Sequence, residues 1–497
     1  MHIIHIASEL APIAKSGGLA DVVAGLSSEL ADLGHDVDVI LPNYDCKNSN
    51  QIRDLHVFCS DLISFFEGGW HANTIWVGWV KNLKVYFVEP HHPRFFFNRG
   101  CFYGCVDDVD RYLYFSRSVL EFLYKMAIRP QILHLHDWQT AIVAPLYKEM
   151  YRAIGFEGAK TVFTIHNIDY QGKCNKDNLD NIGLHGLNYL VPNKMQDPYQ
   201  PETINLLKGG IIYSDLVNTV SPNYAREVMT PEGGRGLERI LCTHREKFSG
   251  ILNGIDYSYW SPEVDPYLPT HYSSKAQPSK DREIGSVDKK AFVKNVLRER
   301  LGLSDEHRPI VCCITRLVPQ KGIDLIKHAM HYTVERGGQF VLLGSCVIPS
   351  ISSEFHEMKK LYEDHPHVSI HLHMQEELCH LIFGGSDIVI VPSLFEPCGL
   401  TQLIGFKYGT IPVVRETGGL ADTVFDIDYG PGDQGNGYTF RDADQMGIES
   451  ALGRAIDCWY QDPKKWREMM IRGMETDHSW KKPAEHYLSL YRQLIER

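Results

Sequence analysis

Residues 2–41 read HIIHIASELAPIAKSGGLADVVAGLSSELADLGHDVDVIL. Residues 2–7 form a short apolar run of strand character. From Gly18 the apolar residues Leu19, Val22, Val23, Leu26, Leu30 and Leu33 recur at helical spacing. Gly34-His35 stops that helix, and Val37, Val39 and Ile40 carry the next strand. Strand, helix and strand in so short a span are a βαβ unit, which implies a parallel sheet with helices on both faces.

The texture continues along the chain. Residues 131–135, 161–165 and 216–220 read as further strands. In the second half, 310–314, 339–343, 388–391 and 411–414 do the same, with a helix predicted over 323–335. Between the halves, residues 263–290 are rich in Pro, Ser and Lys and read as a surface excursion near a domain junction. At 497 residues the chain exceeds the size at which a single core stops growing. The expected class is therefore α/β: two doubly wound domains facing each other across a cleft, with ligands outside the carboxyl ends of the strands.

Composition narrows the function. Hydrophobic residues are 43% and charged residues 23%, as in an ordinary soluble globular protein. With 62 acids against 50 bases the formal charge is −12. That argues against a general nucleic-acid binder, which needs a basic surface. The N-terminus has no basic leader, and Glu9 interrupts its apolar stretch, so no signal or transit peptide is expected. No apolar run is long enough to span a bilayer. The 12 cysteines lack framework spacing, which suggests free thiols and a cytoplasmic location without membrane association. Cys101 and Cys105 have no His/Cys cluster nearby to complete a metal site.

Six segments have the residue types for chemistry. Lys15-Ser16-Gly17-Gly18-Leu19 lies between a strand and a helix, where glycines, free amides and a lysine suit an anion; a plain N-cap at Ser16 reads equally well. His136-Asp137-Trp138 and His166-Asn167 follow strands, where catalytic groups collect and where structural caps are also common. Arg316 with Pro319-Gln320-Lys321-Gly322 pairs a planar fork and a point charge in a loop that opens a helix. The run from Pro392 to Gln402, with Glu396, Cys398, Gly399, Leu400 and Thr401, sets a carboxylate beside a helix start. Thr417-Gly418-Gly419-Leu420-Ala421-Asp422 echoes the first loop and is also compatible with plain packing. Each of these is ambiguous by itself. Together, spread over both halves, they suit a diphosphate sugar bound between domains.

These residues resemble the bacterial glycogen synthases and plant starch synthases over nearly the whole chain. Lys15 to Leu19, Ala20-Asp21-Val22-Val23, His136-Asp137-Trp138 and Thr164-Ile165-His166-Asn167 are similar to the family's motifs, as are residues 250–256, 316–322, 395–402 and 415–422. The Glu-Pro-Cys-Gly-Leu-Thr-Gln string from Glu396 is the most specific. The resemblance implies two facing Rossmann-like domains of the GT-B glycosyltransferase type, at 1–250 and 251–477, with a helix at 478–497 crossing back to the first. It implies retaining transfer of glucose from ADP-glucose, with UDP-glucose as the alternative donor, onto an α-1,4-glucan primer, without metal or cofactor.

Carried over position by position, the resemblance places Arg316 and Lys321 on the diphosphate, with Lys15 and Gly18 contributing. Glu396 and the amides of Cys398 and Gly399 hold glucose hydroxyls, and those of Leu400 and Thr401 face phosphate. His166 and Asn253 meet the glucose 6-hydroxyl region; Asp21 and Asp137 lie toward the acceptor. Lys15, His166, Arg316, Lys321 and Glu396 form the expected catalytic set. Three positions depart from the pattern. Ser16 replaces a usual Thr. Ile404 lacks the second Glu of related glycosyltransferases. His371-Leu372-His373-Met374 stands where the family often has a Tyr near the base. The expected mechanism is same-face attack, with the departing phosphate accepting the proton and Glu396 orienting sugar rather than attacking it. Domain closure over the donor is expected to exclude water. The rival readings are a glycosyltransferase with another acceptor, a glycogen phosphorylase, for which no pyridoxal-phosphate lysine motif is assignable, and an inactive glucan-binding protein.

Overall fold

The computed structural model describes residues 1–276, 284–430 and 434–496 as two compact units. The first comprises Met1–Gly254 and the chain from Trp480 onward; the second is Ile255–Ser479. Residues 277–283 of the junction segment, and Arg497 at the end of the helix expected over 478–497, lie outside the described residues.

The first unit is built on a nine-stranded sheet. Its order is Phe248–Gly250, Leu216–Thr219, Lys160–Ile165, Ile132–His136, His2–Ile6, Asp36–Pro42, Leu83–Pro90, Gly69–Val80, Arg53–Phe66. The first seven strands run parallel. The last two extend the sheet as an antiparallel hairpin. Strand order reverses between His2–Ile6 and Ile132–His136, whose register sets Ile6 opposite Leu135. A reversal of this kind opens a crevice at the carboxyl edge of the sheet.

Helix Gly18–Asp32 buries Leu19, Val22, Val23, Leu26 and Leu30 on one face. Gly25 lies on the same helix because Trp480 packs there: a Cβ at Gly25 would fall 1.9 Å from the indole Nε1. Helix Lys481–Glu496 follows Trp480 and buries Tyr487, Leu488, Tyr491 and Leu494. Its two tyrosines bond into the first unit's strands, Tyr491 OH with His134 Nδ1 at 2.7 Å and Tyr487 OH accepting from Asn218 Nδ2 at 2.8 Å.

The second unit has a six-stranded, wholly parallel sheet in the order Val368–His371, Gln339–Ser345, Ile310–Arg316, Ile388–Val391, Ile411–Arg415, Tyr438–Phe440. Successive side chains of a strand point to opposite faces, and here they supply two cores. Cys312, Ile314, Val341, Leu343, Val389 and Val391 enter one. Val311, Cys313, Phe340, Leu342, Ile388 and Ile390 enter the other. This explains the continuous apolar runs in the sequence, since a sheet covered on both faces has no polar side. The order reverses between Ile310–Arg316 and Ile388–Val391.

The junction segment differs from its surface reading. Asp265 and Tyr272 are fully buried, and Lys290 nearly so. Asp265 Oδ2 accepts from Tyr408 OH at 2.5 Å and bonds His380 Nδ1 at 2.8 Å. Lys290 Nζ donates to Phe383 O, Tyr408 O and Thr410 Oγ1 at 2.9–3.0 Å. Polar composition signals exposure only where the polar atoms lack internal partners, and these have them. Among the described residues, no helix is long and apolar enough to cross a membrane.

Candidate functional site

In the second unit, the strand reversal brings together two of the singled-out segments. Arg316 ends strand Ile310–Arg316 with its side chain exposed. Lys321 closes the short turn Pro319–Lys321 before helix Ile323–Glu335. Its ammonium is ion-paired with Glu396 Oε2, which also accepts from Ser393 Oγ at 2.8 Å. Glu396 is only 6% exposed, so its charge is sustained by these two donors rather than by water. The loops are tied in two further places: Leu394 N donates to Gln320 O at 2.8 Å, and the Gln320 side-chain Nε2 to Phe395 O at 3.1 Å. Cys398, Gly399 and Leu400 then lead into helix Thr401–Lys407, which has no side-chain cap. The first-turn amides of a helix have no partner within it. Gln402 fixes the turn, its Nε2 donating to Gly399 O at 2.8 Å and Cys398 O at 3.2 Å.

The Thr417–Asp422 motif serves this loop by packing. Gly419 N donates to Glu396 O at 3.0 Å. Gly418 has φ +47, and a Cβ there would fall 1.8 Å from Glu396 O. Gly418 therefore admits the backbone that carries Glu396.

In the first unit, the parallel strands align their carboxyl ends, and the other singled-out residues follow them: Lys15 after His2–Ile6, Asp137 after Ile132–His136, His166 after Lys160–Ile165 and Asn253 after Phe248–Gly250. The Lys15 loop is not an open anion cradle. Glu9 Oε2 accepts from Ser16 N at 2.6 Å and Gly17 N at 2.9 Å, and Tyr103 OH donates to Glu9 Oε1 at 2.7 Å. The anion at that helix start is the protein's own carboxylate. The cap residue is Gly17, not Ser16, and Gly18 is the first helical residue. Lys15 Nζ is paired with Asp21 Oδ1 at 2.7 Å, joining residues expected on the donor and acceptor sides.

Asp137 adopts a left-handed backbone, φ +56, uncommon for a residue with a side chain. Its Oδ1 accepts from His166 N at 2.7 Å and Asn167 N at 3.4 Å. Burial pushes its carboxyl up to about 7, against the pull of those two amides, and Glu9 adds to the rise. Burial draws the His166 imidazole down to about 3, so the ring is neutral at physiological pH. Asn253 is buried and its Oδ1 has no hydrogen-bond partner among the described residues.

Sequence reasoning missed Glu9, Tyr103 and Ser393. Ser393 sits inside a quoted run, and a hydroxyl three residues before a buried Glu was a usable signal. Glu9, an acid immediately after an apolar strand, was another. Tyr103, distant in sequence, offered none.

Residues 2–243 match the family model described as starch synthase catalytic domain, and residues 297–473 match glycosyl transferases group 1. The chain is 62% identical over 496 residues to a glycogen synthase of Protochlamydia amoebophila, covering 99% of both chains. It is 46% identical to a probable starch synthase 4 of Arabidopsis thaliana, covering 100% of this chain and 47% of that one. The solved catalytic domain of starch synthase IV from Arabidopsis thaliana, bound to ADP and acarbose, superposes with a TM-score of 0.96 at 46% identity, covering 100% of this chain and 99% of that chain.

Proposed function

The chain belongs to the glycogen synthase and starch synthase family and is a glycosyltransferase of the GT-B fold; from that premise, we propose that it transfers glucose with retention from ADP-glucose to the non-reducing end of an α-1,4-glucan, releasing ADP. One observation carries this reading most directly. At the second unit's strand reversal, a buried Glu396 is held by Lys321 and Ser393, with exposed Arg316 and the start of an uncapped helix nearby in the chain. A fixed carboxylate suits sugar hydroxyls, and cations with helix amides suit phosphate. The ADP in the starch synthase IV structure supports adenine as the base. The His371 to Met374 stretch, without a Tyr, keeps UDP-glucose as the competing donor.

In the reaction the bond between glucose C1 and the diphosphate oxygen breaks, and the acceptor hydroxyl bonds C1 on the same face. The released diphosphate takes the acceptor's proton. Arg316 and Lys321 stabilise the charge growing on the leaving oxygen, more in the transition state than before it. Glu396 Oε2 is occupied by Lys321 and Ser393, which leaves Oε1 to orient hydroxyls. His166 and Asn253 take the 6-hydroxyl region, Cys398 and Gly399 amides assist Glu396, and Leu400 and Thr401 amides meet phosphate. Lys15 and Gly18 serve the donor, Asp21 and Asp137 the acceptor. Lys321→Ala tests the assignment: kcat falls about a hundredfold, an effect of about 3 kcal/mol on the scale of one fixed electrostatic donor. Normal turnover in that variant excludes the role.

A further inference from the structure

A row of histidines runs through the first unit behind His166. His5 Nδ1 bonds His136 Nε2 at 3.0 Å, and His136 Nδ1 bonds His166 Nε2 at 3.0 Å. His5 and His136 are fully buried. Burial draws His5 and His166 down to about 3 and His136 well below its ordinary value, so all three rings are neutral. A neutral imidazole carries one ring hydrogen. Each of the two bonds needs one hydrogen between its nitrogens. Only two arrangements satisfy both: hydrogens on Nδ1 of all three rings, or on Nε2 of all three.

The inner end of the row decides between them. His5 Nε2 is buried and has no partner among the described residues. The second arrangement would leave an N–H orphaned there; the first leaves a bare lone pair. Orphaned buried N–H groups are the rarer and costlier case. We infer that the His5–His136–His166 row locks His166 as its Nδ1–H tautomer, so that it meets the sugar as a hydrogen-bond donor, and that His5 and His136 are positioning residues for it. This rests on the proposed function only in naming the sugar as what His166 addresses. The consequence is chemical: a sugar hydroxyl that accepts from His166 must donate its own hydrogen elsewhere, which discriminates hydroxyls by their second partner.

His134 provides an internal reference. It stacks on His136 with ring centroids 4.3 Å apart but stands outside the row. Thr164 Oγ1 donates to Asn218 Oδ1 at 2.7 Å, so it accepts from His134 Nε2 at 2.6 Å. His134 is therefore fixed as the opposite, Nε2–H tautomer, its Nδ1 accepting from Tyr491 OH.

The test is nuclear magnetic resonance of the full chain with ring-15N histidine, where two-bond proton–nitrogen patterns separate the tautomers. The inference predicts Nδ1–H for His5, His136 and His166 and Nε2–H for His134 in the same spectrum. In His5→Leu the unpartnered inner end moves to His136 Nε2, and the same preference keeps Nδ1–H on His136 and His166 although the bond that positions the row is gone. The variant's kcat falls on the order of tenfold, the lower end of what partners fixing a histidine contribute, while KM for the donor stays within about twofold. His5→Asn, whose amide nitrogen replaces Nδ1, restores kcat. An Nε2–H signal for His166 in the wild type overturns the inference, and so does unchanged turnover in His5→Leu. The nitrogens of His5, His134 and His136 also lie within 4.8 Å of one another, close enough for a metal ion. One equivalent of bound zinc in the purified protein, with the ring hydrogens of the row missing, would equally overturn it. The wild-type spectrum needs no variant and no activity, so the predicted tautomers without transfer from any glucose nucleotide would uphold the row and reject the proposed function.

Discussion

Replacing Asp137 by Asn isolates the electrostatic burden of one buried carboxyl. Asp137 Oδ1 accepts two backbone amides, which an Asn side-chain oxygen does equally well. Its φ of +56 also favours Asn, one of the few residues at ease in the left-handed region. The charge is what changes. Burial lifts the folded carboxyl from 3.8 to about 7. Folding therefore binds a proton at intermediate pH, and wild-type stability is lost as pH rises from 3.8 to about 7 and level beyond. Between pH 5 and pH 9 only the span from 5 to 7 counts. At about 1.36 kcal/mol per pH unit this amounts to about 3 kcal/mol. Asp137→Asn lacks that loss. Its stability relative to the wild type should rise by about 3 kcal/mol between pH 5 and pH 9, while transferase activity falls. The assay is urea titration read by hydrogen exchange in first-unit peptides, so that unfolding of the second unit does not enter. A stability gap that stays constant to within about 1 kcal/mol across this pH range would refute the reasoning.

Other expectations follow from the same contacts. Gly418→Ala places a methyl 1.8 Å from Glu396 O at a positive φ; we expect destabilisation of about 2 kcal/mol or more and loss of kcat, measured by urea titration and turnover. Glu9→Ala removes the acceptor of the Ser16 and Gly17 amides; charge-assisted hydrogen bonds contribute about 1.5–3 kcal/mol each, so first-unit stability falls on that scale and exchange quickens in peptides spanning residues 14–20. Lys321→Ala leaves Glu396 buried without its cation. Besides the loss of turnover, stability should fall by about 3 kcal/mol, and Lys321→Ala/Glu396→Gln should recover part of the stability but not the turnover.

The sequence was legible wherever burial imposed a pattern. Helix Gly18–Asp32 and strands such as Ile388–Val391 carry apolar residues at the period of their element, and most of the parallel strands were read from such runs, whereas Leu83–Pro90, Phe248–Gly250, Val368–His371 and Tyr438–Phe440 were not. The hairpin Arg53–Phe66 and Gly69–Val80 was missed because much of Arg53–Phe66 is exposed, so its residues show no strict alternation. The site was legible as segments, since each lies at or just beyond the carboxyl end of a strand. Their partners were not, because pairings such as Lys321 with Glu396 or His5 with His136 depend on strand order rather than on neighbours in the chain. The buried flanks of the junction segment were misread for a related reason: Asp265 and Lys290 look like surface residues until their acceptors and donors are in place.

The central claim is glucosyl transfer from an adenine nucleotide sugar to glucan. The decisive measurement incubates the purified protein with glycogen and either ADP-glucose or UDP-glucose, and follows nucleotide release together with the growth of α-1,4-linked chains. The account predicts ADP release matched mole for mole by added glucose, with much slower release of UDP. Faster turnover of UDP-glucose, or nucleotide release without chain growth, would contradict it.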